Sequence, residues 1–573
     1  MESSDNKSGI VLNHLESRYD SRYDIRHADD YEPHQLTWRS WAVVFVTNFA
    51  VLAQIFTVTA AGGSIGFIIR ELGNPTIAGW VIQGPLLVQA ALSPVVGRLS
   101  DVLDRKYMAC LPPLVAFAGA IISAKATSMN MLIGGGILIG FTLPTVAIVQ
   151  AIPSEILPYK YRPLSNGLAF ISGTLGAMIA ILGGGAVVNT GVSGWRTIYW
   201  MQAAFHMASF AGIMAFYWPP KKIHEERLSW RKAIWSCDPI GSLTLITGTT
   251  LVIMALNWAG GTYTWSNVHV ISCLVTGAVL LLAFSVYEWK GRTDGLMAHI
   301  FFKDGPNLGL SVFAFAIEGW IFFSAVNNVT PLITLNLGWE TSAWKIGLRQ
   351  IPTAAATLLS APFLIIWATK KKDMKKPLIF TFVLFLAATG CYAAINEGMK
   401  QAQWGYNIIL GVGQSGPLTL LTAYIQFASP PDMISTATGL AFSARALGGA
   451  LGSAVLNTII NNKLGQTYAS SVGGAAVNAG LPPSSIGALL TALATGNPKA
   501  IAEVPGISDS ILGAALGVSH QVFAAAYRLA WSSIIPFVAL ATICCCFLTD
   551  ISHLMTEHID ATVEKVPESK ALD

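Results

Sequence analysis

Apolar runs of about 20 residues recur along almost the whole chain, and they restrict its fold more than any other feature. A run of this length crosses the hydrocarbon layer of a bilayer as one α-helix, and a helix satisfies its own backbone hydrogen bonds in lipid. Fourteen runs qualify, at residues 41–62, 77–96, 108–124, 131–152, 166–188, 198–217, 239–258, 268–288, 308–328, 346–367, 377–396, 404–425, 434–460 and 527–549. Only 12% of the 573 residues are charged, which is too few to cover a soluble globule. The sequence therefore predicts an all-α polytopic membrane protein with 14 transmembrane helices.

The basic residues predict the orientation of these helices. An even number of spans places both termini on the same side of the membrane. The loops after even-numbered spans carry most of the lysines and arginines, including Arg98, Arg105, Arg162 and the lysines of 370–376, and such loops stay in the cytosol. We therefore expect both termini to be cytosolic. Residues 1–40 mix acidic and basic side chains without an apolar core, which predicts a disordered tail and no cleaved signal peptide, and residues 550–573 form a second, shorter tail.

Two long connections divide the chain into parts. Residues 218–238 are basic and amphipathic, which favours a cytosolic linker along the membrane surface. Residues 461–526 are rich in Gly, Ala and Pro and carry little charge, which is typical of a loop, here on the outer side. The predicted parts on either side of the linker are a six-helix bundle at 41–217, a two-helix insertion at 239–288 and a second six-helix bundle at 308–549.

Glu318 lies alone in the middle of the ninth span, about ten residues from either end. A charge near the bilayer midplane costs at least about 2.5–3.5 kcal/mol. One interpretation is a protonated glutamate that hydrogen-bonds to a neighbouring helix. The other is a proton carrier or cation ligand in a transport path, because a desolvated carboxyl group is suited to taking up and releasing a proton. We expect Glu318 to couple transport to protons.

Further polar residues inside the spans suggest a substrate cavity. They are Gln54, Gln89, His206, Gln414 and Arg445. For each glutamine the alternative is a helix-to-helix tie, and such ties contribute about 0.6 kcal/mol on average. For His206 the alternative is a hydrogen-bonded core histidine. Arg445 differs, because a cation about two turns inside a span requires a partner or water.

The segment joining the second and third spans carries the most specific motif. It reads GRLSDVLDRK over residues 97–106 and resembles the cytoplasmic loop signature of the major facilitator superfamily, with differences at Val102 and Asp104. The resemblance implies two six-helix bundles around a central cavity that opens alternately to each side. The chain also resembles the branch of fourteen-span drug:proton antiporters, both in the insertion that begins at Asp238 and in the stretch 439–455. Gly136 stands about where that signature has an arginine.

The residues of this motif suggest an inner gate. Asp101 at a helix end can cap the positive N-terminus of a facing helix. Arg105 can pair with an acidic residue at the inner end of the fourth span, for which Glu155 is our candidate. We expect Gly97, Asp101, Arg105, Lys106 and Glu155 to form a charged latch that breaks when the bundles rock. The alternative is a basic loop that only fixes topology.

Three further stretches narrow the resemblance. Residues 153–167, 481–508 and 549–556 resemble the fungal trichothecene efflux pump family. The resemblance implies proton-coupled export of a toxic or secondary metabolite, or of a drug, across the plasma membrane, with a vacuolar or vesicle membrane as the alternative. Siderophore-iron:proton symporters share fourteen spans and a long last outer loop, and they are the second hypothesis. A transporter-like membrane sensor without flux is the third.

Several function classes are disfavoured by what the sequence lacks. It has no G-x-x-x-x-G-K-[ST] loop for ATP and no H-E-x-x-H motif, so we expect a gradient-driven transporter and no enzyme. The seven cysteines lack metal-ligand spacing, and we expect neither a metal nor another cofactor. The net charge of +4 is small and spread between spans, which argues against nucleic acid binding. The expected partners are an amphipathic small molecule, protons and lipid, and the expected state is a monomer.

Overall fold

The computed structural model describes residues 36–559 apart from 75–76, 189–190, 192, 220–229, 260–262, 304 and 496–497. The described regular structure is helical, which confirms the all-α prediction. Its fourteen long helices are α1 (Trp38–Leu72), α2 (Trp80–Val102), α3 (Arg105–Ala124), α4 (Met129–Ile156), α5 (Arg162–Val188), α6 (Trp195–Phe216), α7 (Pro239–Trp258), α8 (Val268–Val286), α9 (Asn307–Asn336), α10 (Ile351–Lys371), α11 (Lys375–Ala393), α12 (Ala402–Phe427), α13 (Ile434–Asn478) and α14 (Asp509–Cys546).

Thirteen of the described helices are long and apolar enough to cross a membrane. The exception among α1–α14 is α6, which has 22 residues and is therefore about 33 Å long. It is less apolar because it carries Arg196, Gln202 and His206. Since α6 packs against α1 and α3, its length and position are those of a sixth spanning helix. The protein is a multi-pass membrane protein, and the number of spans is close to the fourteen predicted.

Helix packing groups the fourteen helices into two sets of six and one pair. In the first set, α1 packs on α5 and α6, and α3 packs on α4 and α6. In the second set, α13 and α11 pack on α14, and α10 and α11 pack on α12. The pair α7 and α8 packs together and touches α2 and α13. The two sets meet where α2 lies against α13 and α5 lies against α10.

The α2–α13 contact brings two backbones together. A β-carbon at Gly97 would collide with the carbonyl oxygen of Ser435, and a β-carbon at Gly439 would collide with that of Ser93. Further along, the Ser443 hydroxyl donates a hydrogen bond of 2.5 Å to the carbonyl oxygen of Ala90. Small residues allow helices to approach this closely in lipid. The two sets of helices are therefore in close contact along one side of the molecule.

The predicted outer loop 461–526 is largely helical. Helix α13 continues to Asn478, and α14 already begins at Asp509. Proline is absent from α13, and its end is a Schellman turn in which Gly480 has a φ of +109° and the Leu481 N–H donates to the carbonyl oxygen of Ala476 over 2.9 Å. The Ser508 hydroxyl caps α14 by accepting from the Ile511 N–H. Apolar side chains pack together around Val472, Leu481, Leu489, Val504 and Ile511. We call the described residues of 461–526 the outer unit, after the predicted loop.

The chain continues beyond α14 along one end of the molecule. Asn307 binds Thr549 through two hydrogen bonds of 2.6 and 3.0 Å, and Ile551 and Met555 are buried in the core of the second set. Residues 1–35 of the predicted N-terminal tail and residues 220–229 of the predicted linker lie outside the described residues, and the last residues of the predicted tail already belong to α1, which begins at Trp38. Of the linker, a short helix at Trp230–Ser236 is described.

Candidate functional site

The candidate proton site lies where α9 crosses α13. β-Carbons at Gly319 and Gly448 would collide with the carbonyl oxygens of Arg445 and Ala316, respectively. The helices therefore touch at glycines, as small residues permit in lipid. One residue beyond Gly319 in α9, at Trp320, the α-helical part ends and a π-helical segment runs from Ile321 to Val329. Segments of this kind occur frequently at functional sites.

At this crossing Glu318 forms an ion pair with Arg445. The Nε of Arg445 lies 2.5 Å from Oε2 of Glu318, and its Nη2 lies 3.2 Å from Oε1. Glu318 is fully buried and Arg445 is 4% exposed. The sequence singled out both residues separately, as a lone carboxylate and as a cation in need of a partner. The structure brings them together as a bidentate pair, which is the strong form of a charge-assisted hydrogen bond.

The other four cavity candidates do not join this pair by hydrogen bonds within the described residues. The Gln54 amide donates to the Thr142 carbonyl oxygen and to the Thr145 hydroxyl, each over 2.9 Å, and so ties α1 to α4. The His206 Nε2 lies 3.2 Å from the Thr57 hydroxyl, between α6 and α1. These contacts match the helix-tie and core-histidine alternatives.

The remaining two candidates are the glutamines of α2 and α12. Gln89 is buried in α2, and Gln414 is buried in α12, three residues before a second π-helical segment, Pro417–Leu421. The four cavity candidates other than Arg445 thus lie on four different helices, α1, α2, α6 and α12, and no described hydrogen bond joins any two of them.

The motif at 97–106 forms a charged contact between the two sets of helices. One carboxylate oxygen of Asp101 accepts hydrogen bonds from the backbone N–H and the hydroxyl of Thr436, each over 2.7 Å. Thr436 lies in the first turn of α13, so Asp101 caps the N-terminus of that helix, where a negative charge is favourable. The other Asp101 oxygen accepts from Arg105 over 2.7 Å, and Arg105 also pairs with Glu155. Gly97 lies against the same turn.

Two other basic residues of the motif point elsewhere. The Lys106 ammonium lies over the ring of Trp218, 2.7 Å from its centroid, and makes no described contact with Asp101 or Glu155. Arg98 donates to the carbonyl oxygens of Ser236 and Asp294, both over 2.9 Å. Lys106 therefore does not belong to the charged contact that we expected it to form, whereas Arg98 joins α2 to the region around the insertion.

A second contact between the sets was missed at the sequence level. Arg162, at the start of α5, is fully buried and donates to the Gln426 carbonyl oxygen in α12 over 2.9 Å. Asn166 donates to the Gln426 side-chain oxygen over 2.7 Å. The guanidinium of Arg162 also lies 4.0 Å from the ring centroid of Tyr159. In the sequence Arg162 has the position of a topology charge, and the only signal of its burial is that it lies one turn before Asn166, another polar residue.

The chain after α14 covers this second contact. The backbone N–H groups of Tyr159 and Lys160 donate to the carbonyl oxygens of His558 and Thr556, both over 3.0 Å, and Lys160 pairs with Glu557. We call residues 549–558 the tail strap. We call the end of the molecule that holds the strap, the Asp101 contact and the Arg162 contact the basic end. All three contacts hold the two sets of helices together there.

The fold and these contacts define a helical membrane transporter, and comparisons with known proteins agree. The sequence model of the Major Facilitator Superfamily matches residues 47–453. The chain belongs to this superfamily. It is 24% identical to the MFS-type transporter prx5 of Penicillium rubens over 91% of this chain and 93% of that protein. It is 23% identical to the trichothecene efflux pump TRI12 of Fusarium sporotrichioides, with 89% of this chain and 86% of that protein covered.

A solved structure supports the same fold. The proton:xylose symporter XylE superposes with a TM-score of 0.54 at 12% identity, covering 91% of this chain and 98% of that protein. At this identity the likeness concerns the fold alone. Superfamily membership agrees with the expectation of a transporter and not an enzyme.

Proposed function

We propose that this protein is a proton-coupled exporter of an amphipathic secondary metabolite or toxin in a fungal cell. The observation that carries the proposal is the Glu318–Arg445 pair, buried at the contact between α9 and α13. A carboxylate and a guanidinium in this position provide a site whose charge changes when one proton binds. The likeness to the trichothecene efflux pump supports export and a toxin-like cargo.

The proposed cycle uses the pair as a switch. With the basic end closed, a proton from outside binds Glu318, breaks its ion pair with Arg445 and favours release of the cargo. The bundles then rock, the contacts of Asp101 and Arg105 break, and the basic end opens to the cytosol. Glu318 gives up its proton there, pairs again with Arg445, and new cargo binds. In this account the basic end and both termini are cytosolic, and the membrane is the plasma membrane.

Expression in a toxin-sensitive yeast tests the direction and the class of cargo. The chain should lower the intracellular accumulation of a sesquiterpenoid-type toxin, and the variant E318Q, at equal surface level, should not. Ferric-chelate uptake should not change, because residues 464–498 of the outer unit contain no Lys, Arg, Asp or Glu that could hold a charged chelate. Restored iron uptake in a strain deficient in siderophore transport, with unchanged toxin accumulation, would favour the symporter hypothesis instead.

A further inference from the structure

Three phenylalanine rings surround the guanidinium of Arg445. Its central carbon lies 5.5 Å from the ring centroid of Phe315, 4.9 Å from that of Phe322 and 4.8 Å from that of Phe323. All three rings belong to α9, the helix that carries Glu318. We call them the phenylalanine cluster. A guanidinium within about 6 Å of a ring centroid is attracted to the ring, and the attraction is stronger where water is excluded.

The local structure of α9 places these rings. Phe322 and Phe323 are consecutive residues of the π-helical segment Ile321–Val329, and both contact the same cation. Phe323 lies in a space left by Gly449 of α13, where a β-carbon would come within 2.6 Å of its ring. Phe315 is held edge-on by Phe442 of α13, with ring centroids 5.1 Å apart. Helix α13 therefore accommodates the phenylalanine cluster through Gly449 and Phe442, and it also supplies Arg445 for the ion pair.

Protonation of Glu318 leaves Arg445 without its anion. The helices packed on this part of α9 are α13, α14 and the end of α12, and their other described ionisable side chains are Tyr424, Lys463, Tyr468, Asp509, His520, Tyr527, Arg528 and Cys544–Cys546. Within the described residues, Arg445 is the only one that forms an ion pair with Glu318. A buried cation that loses its partner is strongly disfavoured, so the state with protonated Glu318 needs another source of stabilisation.

We propose that the phenylalanine cluster stabilises Arg445 when Glu318 is protonated and so sets the pH at which Glu318 takes up its proton. The inference rests on the proposed function of Glu318. The rings are positioning residues, since they act on the proton site through Arg445. Their attraction for the cation counts most when the carboxylate charge is gone. Loss of a ring therefore disfavours the protonated state and moves proton uptake to lower pH.

The test measures how many protons the purified protein releases or takes up when a toxin binds, as a function of pH. F322L and F323L should each move the midpoint of this curve to lower pH by about half a unit, and F322L/F323L by about one unit, the size expected for desolvated cation–π contacts. F323Y keeps an aromatic face and should keep the wild-type midpoint. F313L is the matched control, since Phe313 lies on the same helix without a described contact to Arg445.

A simple packing role predicts a different result. Lower thermal stability with an unchanged midpoint in both single variants, or an equal shift in F313L, would overturn the proposal. The single variants and F323Y are sufficient to test the proposal even if the double variant does not fold. Failure of the underlying function is separately visible, because E318Q would then keep the wild-type pH curve.

Discussion

At the scale of single residues, the proposed proton coupling depends on two charges that are each costly alone. Glu318 and Arg445 are separated by 127 positions in sequence and are buried against one another. A buried pair stabilises little compared with apolar residues of the same size, whereas removing one partner leaves an uncompensated charge. The proposed role in proton uptake and release therefore explains the pair better than a contribution to stability does.

The variant R445Q should be strongly destabilised, by about 3–5 kcal/mol, because it leaves Glu318 buried without a cation. The double variant E318Q/R445Q should recover most of that loss, since both groups are then neutral amides. Thermal unfolding in detergent, followed by tryptophan fluorescence, measures the difference. Additive losses in the double variant would show that the two side chains are not coupled.

Glu340 lies in the loop between α9 and α10. Hydrogen bonds from Arg349 at 3.0 and 3.3 Å hold the pKa of this carboxyl below its usual value of 4.5, and Lys400 at 3.3 Å acts in the same direction. A lowered pKa in the folded state means that the contact stabilises the fold above about pH 4.5 and that this contribution is lost as the pH falls through the lowered pKa.

The melting temperature of wild type should therefore exceed that of E340Q at neutral pH, and the difference should shrink as the pH falls below about 4.5. E503Q is the control, because Glu503 is exposed in the outer unit. A difference that stays constant over the whole range would mean that the carboxylate charge is not involved.

At the scale of secondary-structure elements, α13 connects most of the features that matter. Its first turn receives the cap from Asp101, Arg445 is its twelfth residue, and its last third belongs to the outer unit. The helix has 45 residues and is about 68 Å long, more than twice the thickness of the hydrocarbon layer. A shift of α13 along its axis would therefore change contacts at both ends of the molecule.

The variant D101N should open the basic end more often, because it removes a charged cap worth about 0.3–2 kcal/mol. A change of this size alters a two-state balance by up to about thirtyfold. The reporter is S93C in a background without other cysteines, since Ser93 is buried at the α2–α13 contact. Its labelling by a maleimide from the basic end should rise in D101N.

The control for this measurement is D104N. Asp104 caps its own helix through the Lys106 N–H over 2.9 Å and makes no described contact across the interface. Equal labelling of D101N and wild type, with normal transport, would place the latch elsewhere.

Much of this architecture could be predicted from the sequence, because membrane spans are marked by length and apolarity alone. The sequence also identified Asp101, Arg105 and Glu155 together, since a specific motif fixed their spacing. The pairing of Glu318 with Arg445 could not be predicted from the sequence, because no local pattern relates two residues so far apart.

Arg162 was misinterpreted because a single arginine near a loop looks the same in the sequence whether it lies in water or, as here, beneath Tyr159. The helical outer unit was missed because a Gly- and Ala-rich segment resembles a loop until its ends, Gly480 and Ser508, are identified as helix stop and start signals.

At the scale of the whole molecule, contacts at the basic end hold the two sets of helices together. They include the cap on α13, the buried Arg162–Gln426 contact and the tail strap. In the proposed cycle, all of them must separate when this end opens. The strap is the one contribution that can be removed without altering a membrane helix.

A chain that ends after Asp550 should open at the basic end more readily than one that ends after Ile559. The shorter chain loses the backbone bonds to Tyr159 and Lys160 and the burial of Met555, a side chain worth about 1.5–3 kcal/mol when fully buried. Labelling of S93C should rise in the shorter chain and match the full-length level in the longer one. Equal labelling of both would show that the strap does not hold this end closed.

Uptake of a radiolabelled sesquiterpenoid-type toxin into inside-out vesicles, with and without an imposed pH gradient, tests the central claim most directly. We predict that the wild-type protein accumulates toxin only when the vesicle interior is acidic, and that E318Q, which keeps the size and hydrogen-bonding groups of the side chain but does not titrate, loses this dependence at equal protein level. Gradient-driven uptake by E318Q equal to that of the wild type would contradict the account and make Glu318 a structural partner of Arg445.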